Sequence, residues 1–166
     1  CCAAASRASG STIRASCTRT CWSGSTSSWA STTASRRCTH AASPNAIRAL
    51  NEGARRGGFY HDTGEGSISP YHREHGGDIV WEIGSGYFGC RDADGNSSEE
   101  RFAENARSAQ VKMIEVKLSQ GAKPGHGGVL PGAKVNREIA VTRGVAQGVD
   151  CVSPARHGAF STPLQL

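Results

Sequence analysis

Three short apolar runs, FYHD, IVWEI and VKMIEVKL, each give way to a loop of glycine and polar residues. Helix signals fill the spaces around them. Ser43 can cap a helix with Pro44 in its first turn, Ile47, Leu50 and Ala54 share one face, and Gly57 and Gly58 end it. Ser97 with Glu100 makes a capping-box signature for a helix over 98–107. A further helix over 136–143 stops at Gly144, and VDCVSP reads as a fourth strand. Strand, loop, helix, strand in repetition predicts an α/β fold of βαβ units with a parallel sheet. Four such strands fit half of an eight-stranded barrel, or a small open sheet. Ligands of parallel α/β folds bind at the C-terminal ends of strands. The sequence places Glu65, Cys90 with Arg91, Lys117 with Lys123, and Ser153 at those ends.

The pattern begins at Ser43. Residues 1–42 are Ala, Ser, Thr, Arg and Cys with isolated Ile13, Trp22 and Trp29. They show neither helical nor strand periodicity and offer no face to bury. They also lack the order of a signal peptide. This stretch is expected to be low-complexity and disordered, or read out of frame, with the folded part over 43–166. All 14 acidic residues follow Ser43, so Arg7, Arg14, Arg19, Arg36 and Arg37 account for the whole net charge of +5. A charge confined to such a segment argues against nucleic-acid binding, which needs a basic face on folded structure. Five of the seven cysteines precede Ser43, and Cys17 with Cys21 lacks the partners of a tetrahedral site, so neither a disulfide scaffold nor a metal site is predicted. No apolar run approaches the roughly 20 residues that span a bilayer.

The loop from Lys117 to Lys134 combines three lysines with many glycines. A lysine at a buried strand end needs an anion or carbonyl oxygens. Bare glycine backbone admits a ligand closely and presents N–H groups to an oxyanion. A carboxylate, a phosphate or the electron-rich edge of a flavin would fit; a solvated surface loop is the alternative. No Gly-Lys is followed by Ser or Thr, so this is not a Walker A loop. His61, Asp62, Glu65 and His72 would bind a metal only if they converged. DADGN fails as a calcium loop, because its glycine comes at the fourth position. Ser153 and His157 lack a GxSxG elbow, which argues against a hydrolase.

Together, SPNAIRALNEGARRGGFYHDTGEG, GSGYFGCRDADG, VKMIEVKLSQGAKPGHGGVLPGAKV and GVDCVSPARHGAFST resemble the FMN-binding domain of the glutamate synthase family, in particular its stand-alone members. The resemblance covers residues 43–166. It implies about half of a TIM (β/α)8 barrel, an FMN cofactor, a small oxo or amino acid substrate, an electron donor and a cytoplasmic location. In that family reduced flavin passes a hydride to 2-iminoglutarate. Carried over by motif, Glu65 and Lys123 would be catalytic. Lys117, Gln120 and Ser153 would face the cofactor, and Lys123, Arg143, Gly127 and Gly128 the substrate.

Three departures qualify this. Val129 stands where true glutamate synthases have glutamine, THAA replaces the family's small-residue flavin loop, and the sequence stops before the later strands. Weak or absent FMN binding and no activity alone are therefore expected. The rival readings are a non-catalytic anion- or nucleotide-binding module built on the Lys117–Lys134 loop, and a product without selected function.

Overall fold

The structure is a computed structural model that describes the backbone of residues 2–7 and 13–15 and, in full, residues 43–121 and 125–166. Strands β1 (Cys2–Arg7) and β2 (Ile13–Ala15) precede helix α1 (Pro44–Gly57) and strands β3 (Tyr60–Asp62) and β4 (Asp78–Ile83). Helix α2 (Glu99–Ala106), strand β5 (Val111–Lys117), strand β6 (Gly128–Leu130), helix α3 (Arg137–Arg143) and strand β7 (Cys151–Ser153) follow. Among the described residues no helix is long and apolar enough to cross a membrane.

Local chemistry sets the helix limits. Ser43 Oγ accepts the Ala46 N–H at 3.3 Å, and α1 stops at Gly58, whose φ of 65° is left-handed. Asn136 caps α3 through the Ile139 N–H at 2.9 Å, and Gly144 ends it. The start of α2 differs from expectation by one residue. Its cap is Ser98, not Ser97, because Ser97 is held in an antiparallel bridge with Arg91.

The main sheet runs β2-β1-β5-β4-β3. Strands β3, β4 and β5 are mutually parallel, as the alternating pattern predicts. Central β4 is buried on both faces, which explains its unbroken apolar appearance. Ile79, Trp81 and Ile83 pack with Val111, Ile114, Ala106 and Tyr87 on the helix side. Asp62, Val80, Glu82, Met113 and Glu115 are aligned by register on the other side.

One expectation fails here. The VDCVSP segment does form β7, but it pairs antiparallel with β6 in a separate sheet instead of extending the parallel one. Residues 1–42 were expected to be low-complexity and disordered or out of frame; most of them lie outside the described residues, and of those described, β1 runs antiparallel along β5, from Cys2 opposite Lys117 to Ser6 opposite Met113. The outer edge of β5 presents a row of unpaired N–H and C=O groups, and any extendable run of small residues can satisfy them. Periodicity of side chains carries no information about such backbone pairing. Three parallel strands are thus observed where four were expected.

One buried amide fastens the connection between β3 and β4. Asn51, fully buried on α1, accepts from the N–H groups of His75 (3.0 Å) and Gly77 (3.3 Å) and donates to Gly77 O (3.1 Å) and His61 Nε2 (3.2 Å). Leucine fills the same volume but leaves those groups unpaired. Asn51→Leu should cost about 2 kcal/mol, read as a lower urea midpoint at unchanged slope.

Candidate functional site

The site forms where β3, β4 and β5 end. Lys117, the last residue of β5, places its Nζ 3.1 Å from Glu65 Oε2 and 3.3 Å from Glu82 Oε1. Glu65 comes from the turn after β3 and Glu82 from β4, so three neighbouring elements meet at one ammonium. Gln120 donates from Nε2 to the same Glu65 oxygen at 2.8 Å. Glu65 lies against the backbone of Gly84, where a Cβ would stand 2.9 Å from its Oε2. Only glycine leaves that carboxylate its place.

The predicted residues Glu65, Lys117 and Gln120 are therefore in direct contact. Gly128 extends the group: its Cβ position would be 3.9 Å from Gln120 Nε2 and 4.0 Å from Ser153 Oγ. Gly127, at φ 67°, brings its backbone so near Ser153 O that a Cβ would stand 2.2 Å away. Arg143 sits to one side, buried, with its guanidinium 4.8 Å over the Phe88 ring and Nη1 3.7 Å from Cys151 Sγ. Lys123 lies outside the described residues.

This face gathers four carboxylates around one ammonium. Ligand oxygens of Asp62, Glu82 and Glu115 lie within 4.8 Å of one another. Burial, reinforced by the neighbouring Glu82 charge, pushes Asp62 up to about 8, so at neutral pH its carboxyl keeps a proton. Burial also raises Glu82, but Lys117 opposes that shift, and the shared proton resides on Asp62. Burial works against the charge on Lys117, yet Glu82 and Glu65 outweigh it and raise its pKa. The proton and the ammonium do for these carboxylates what a cation would do elsewhere.

The sequence did not mark Glu82 and Glu115 as site residues. Strand register decides it, by setting Glu82 opposite Glu115. The signal available was a glutamate inside each of two apolar strands, where an ionisable group needs a partner.

The four residues first considered for a metal do not converge. Adjacent residues on a strand point to opposite faces. His61 accordingly stacks on His72 at 5.5 Å, while Asp62 joins the carboxylates and Glu65 joins Lys117. DADGN is a plain turn, with Asp92 Oδ1 accepting the N–H groups of Asp94 (3.0 Å) and Asn96 (2.8 Å).

His157 is not a base for Ser153. Its Nε2 lies 2.8 Å from the Lys117 carbonyl, which can only accept, so Nε2 carries the proton. Nδ1 then accepts from Tyr87 Oη at 3.2 Å, and that hydroxyl in turn accepts the Ala159 N–H at 3.0 Å. The chain after β7 is thereby fixed to the end of β5. Ser85 Oγ, donating to the Pro154 carbonyl, ties it to the loop after β4.

Comparison with known proteins identifies the family. A family model described as the conserved region in glutamate synthase matches residues 33–166, beginning ten residues before Ser43. The chain is 43% identical over 122 residues to the glutamate synthase large subunit-like protein YerD of Bacillus subtilis, covering 73% of this chain and 23% of that protein. It is 42% identical over 113 residues to an archaeal-type glutamate synthase [NADPH] of Thermotoga maritima, covering 68% and 20%. With the archaeal glutamate synthase [NADPH] of Methanocaldococcus jannaschii it shares 36% over 117 residues, covering 70% and 20%. The chain thus spans about a fifth of the length of these curated relatives. From the matched region and these identities, the chain belongs to the glutamate synthase family.

Proposed function

We propose that this chain supplies part of the cofactor and substrate wall of an FMN-dependent oxidoreductase that reductively aminates 2-oxoglutarate or a related oxo acid. The observation that carries the reading is the Lys117–Glu65 pair, with Gln120 on the same carboxylate, at the C-terminal ends of parallel strands.

The residues present suit a flavin. Lys117 offers a cation, Gln120 an amide, Ser153 a hydroxyl, and the Gly127–Gly128 backbone leaves space beside them. Bound FMN would supply the hydride, and a cation beside it favours the reduced, negatively charged ring. Lys123 and Arg143 would hold the acid groups of the substrate, with Glu65 orienting its nitrogen. An electron donor is also required. In this reading the chain has no activity by itself, because three parallel strands enclose too little of a flavin.

The alternative of an anion module on the Lys117–Lys134 loop is less well supported. Glu65 and Glu82 beside Lys117 repel a phosphate dianion more strongly than a flavin ring that gains a single charge on reduction.

Titrating FMN into the chain and following flavin fluorescence tests the reading. Quenching that saturates only above about 10 μM, an affinity of about 7 kcal/mol, and that Lys117→Gln weakens several-fold, is the expected result. A stoichiometric complex with sub-micromolar affinity would overturn the claim of incomplete enclosure. Quenching identical in wild type and Lys117→Gln would remove Lys117 from the flavin site.

A further inference from the structure

A cavity of about 460 Å³ lies outside the Lys117 cluster, between the loop after β3, the loop after β4, α2 and the end of α3. Arg73, Arg91, Arg101 and Arg143 line it, together with Ser67 and Asn105, and among the described residues its lining contains no Asp or Glu.

What holds these arginines is as informative as their number. Arg101 Nη1 donates to the Arg91 carbonyl at 2.8 Å. Arg73 donates from Nη1 to Ser108 Oγ at 2.8 Å and from Nη2 to Asn105 Oδ1 at 3.3 Å. Arg91 donates to the Gly86 carbonyl at 3.4 Å, stands 5.6 Å from the Phe88 ring centre, and has a buried Nε without a hydrogen-bond partner. Every one of these acceptors is neutral. Among the described residues, Arg73, Arg91 and Arg101 form no ion pair, whereas Arg48, Arg55 and Arg56 on α1 are each paired with a glutamate.

Neutral acceptors orient a guanidinium without cancelling its charge. The unused N–H groups stay available to a bidentate oxyanion. Bringing Arg73, Arg91 and Arg101, held by neutral acceptors, around one cavity carries a repulsive cost that an anion would relieve. From these contacts we infer that the cavity is a binding site for a small organic anion carrying at least two negative charges, as a phosphate group or paired carboxylates. The volume exceeds what a bare phosphate needs and falls in the range of metabolite sites. The site uses neither Lys117 nor Glu65 and shares only Arg143 with the proposed function, so variants of Arg73 and Arg101 test it separately from the flavin reading.

Isothermal titration of the full chain with inorganic phosphate and, separately, with malonate tests the inference, using sodium chloride at matched ionic strength as reference. Saturable 1:1 binding of either anion, absent with chloride, is expected. Arg73→Gln combined with Arg101→Gln should weaken it by at least about tenfold, since charge-assisted hydrogen bonds are lost. Both side chains are exposed, so folding should survive; should it not, Arg101→Lys keeps the charge while removing the fork and should weaken binding several-fold. Tighter phosphate than malonate assigns a phosphate group, and the reverse assigns paired carboxylates. Binding that never saturates, or that the arginine variants leave unchanged, overturns the site.

Discussion

Replacing Lys117 with methionine should lower the stability of the chain by about 4 kcal/mol at pH 7, the usual consequence of removing one partner from a buried ion pair. The side chain of Lys117 is 22% exposed and those of Glu65 and Glu82 only 7% and 10%, so water cannot take over the role of the ammonium. Methionine matches the stem in length and apolar character, which isolates the charge as the variable. Urea titration monitored by Trp81 fluorescence reads the effect. The difference between wild type and variant should narrow as the pH falls and the carboxylates take up protons. In the wild type, Lys117 has a raised folded pKa, so its contribution is complete below the unfolded lysine value and is lost as pH climbs through the folded one. An unchanged urea midpoint at pH 7 would mean that the three groups do not form a buried unit.

The second large effect depends on pH in the opposite sense from ordinary acid denaturation. Asp62 rises from 3.8 to about 8 on folding. A carboxyl whose folded pKa is raised favours the native state fully below its unfolded value and loses that contribution as pH climbs toward the folded value. Stability should therefore decline between about pH 4 and pH 8, by on the order of 6 kcal/mol from this group. Asp62→Asn keeps an oxygen to accept the Gly64 N–H, which is 2.6 Å from Oδ1, and removes the titration. The variant should be more stable than wild type at pH 8 and above, and its stability should be nearly flat over that window. Melting temperatures at pH 5, 7 and 9 decide this. A wild-type curve that rises from pH 5 to pH 9 would place the proton elsewhere.

These two effects show how much was legible beforehand. Strands and helices after Ser43 are readable because each has a local cause: a serine or asparagine cap, a left-handed glycine stop, or an apolar run of strand length. The pairing of Glu65 with Lys117 is readable only through the resemblance of the loops that carry them. Glu82 and Glu115 were passed over because each sits in an otherwise apolar strand, and register alone turns them into neighbours. The anionic-ligand cavity is similarly hidden. Arg73, Arg91, Arg101 and Arg143 are spread over seventy residues and share no motif.

The sequence by itself determined the order of the three helices and of β3, β4, β5 and β7, their limits to within a residue or two, and the parallel character of β3, β4 and β5, since caps, periodicity and turn residues act over a few neighbouring positions. Tertiary structure alone decided that β7 leaves the parallel sheet, that β1 occupies the edge of β5, and that one ammonium and one shared proton offset part of the charge of four carboxylates. Those outcomes depend on hydrogen bonding between distant backbones and on Coulomb energies that fall with distance in space, and neither quantity follows from separation along the chain.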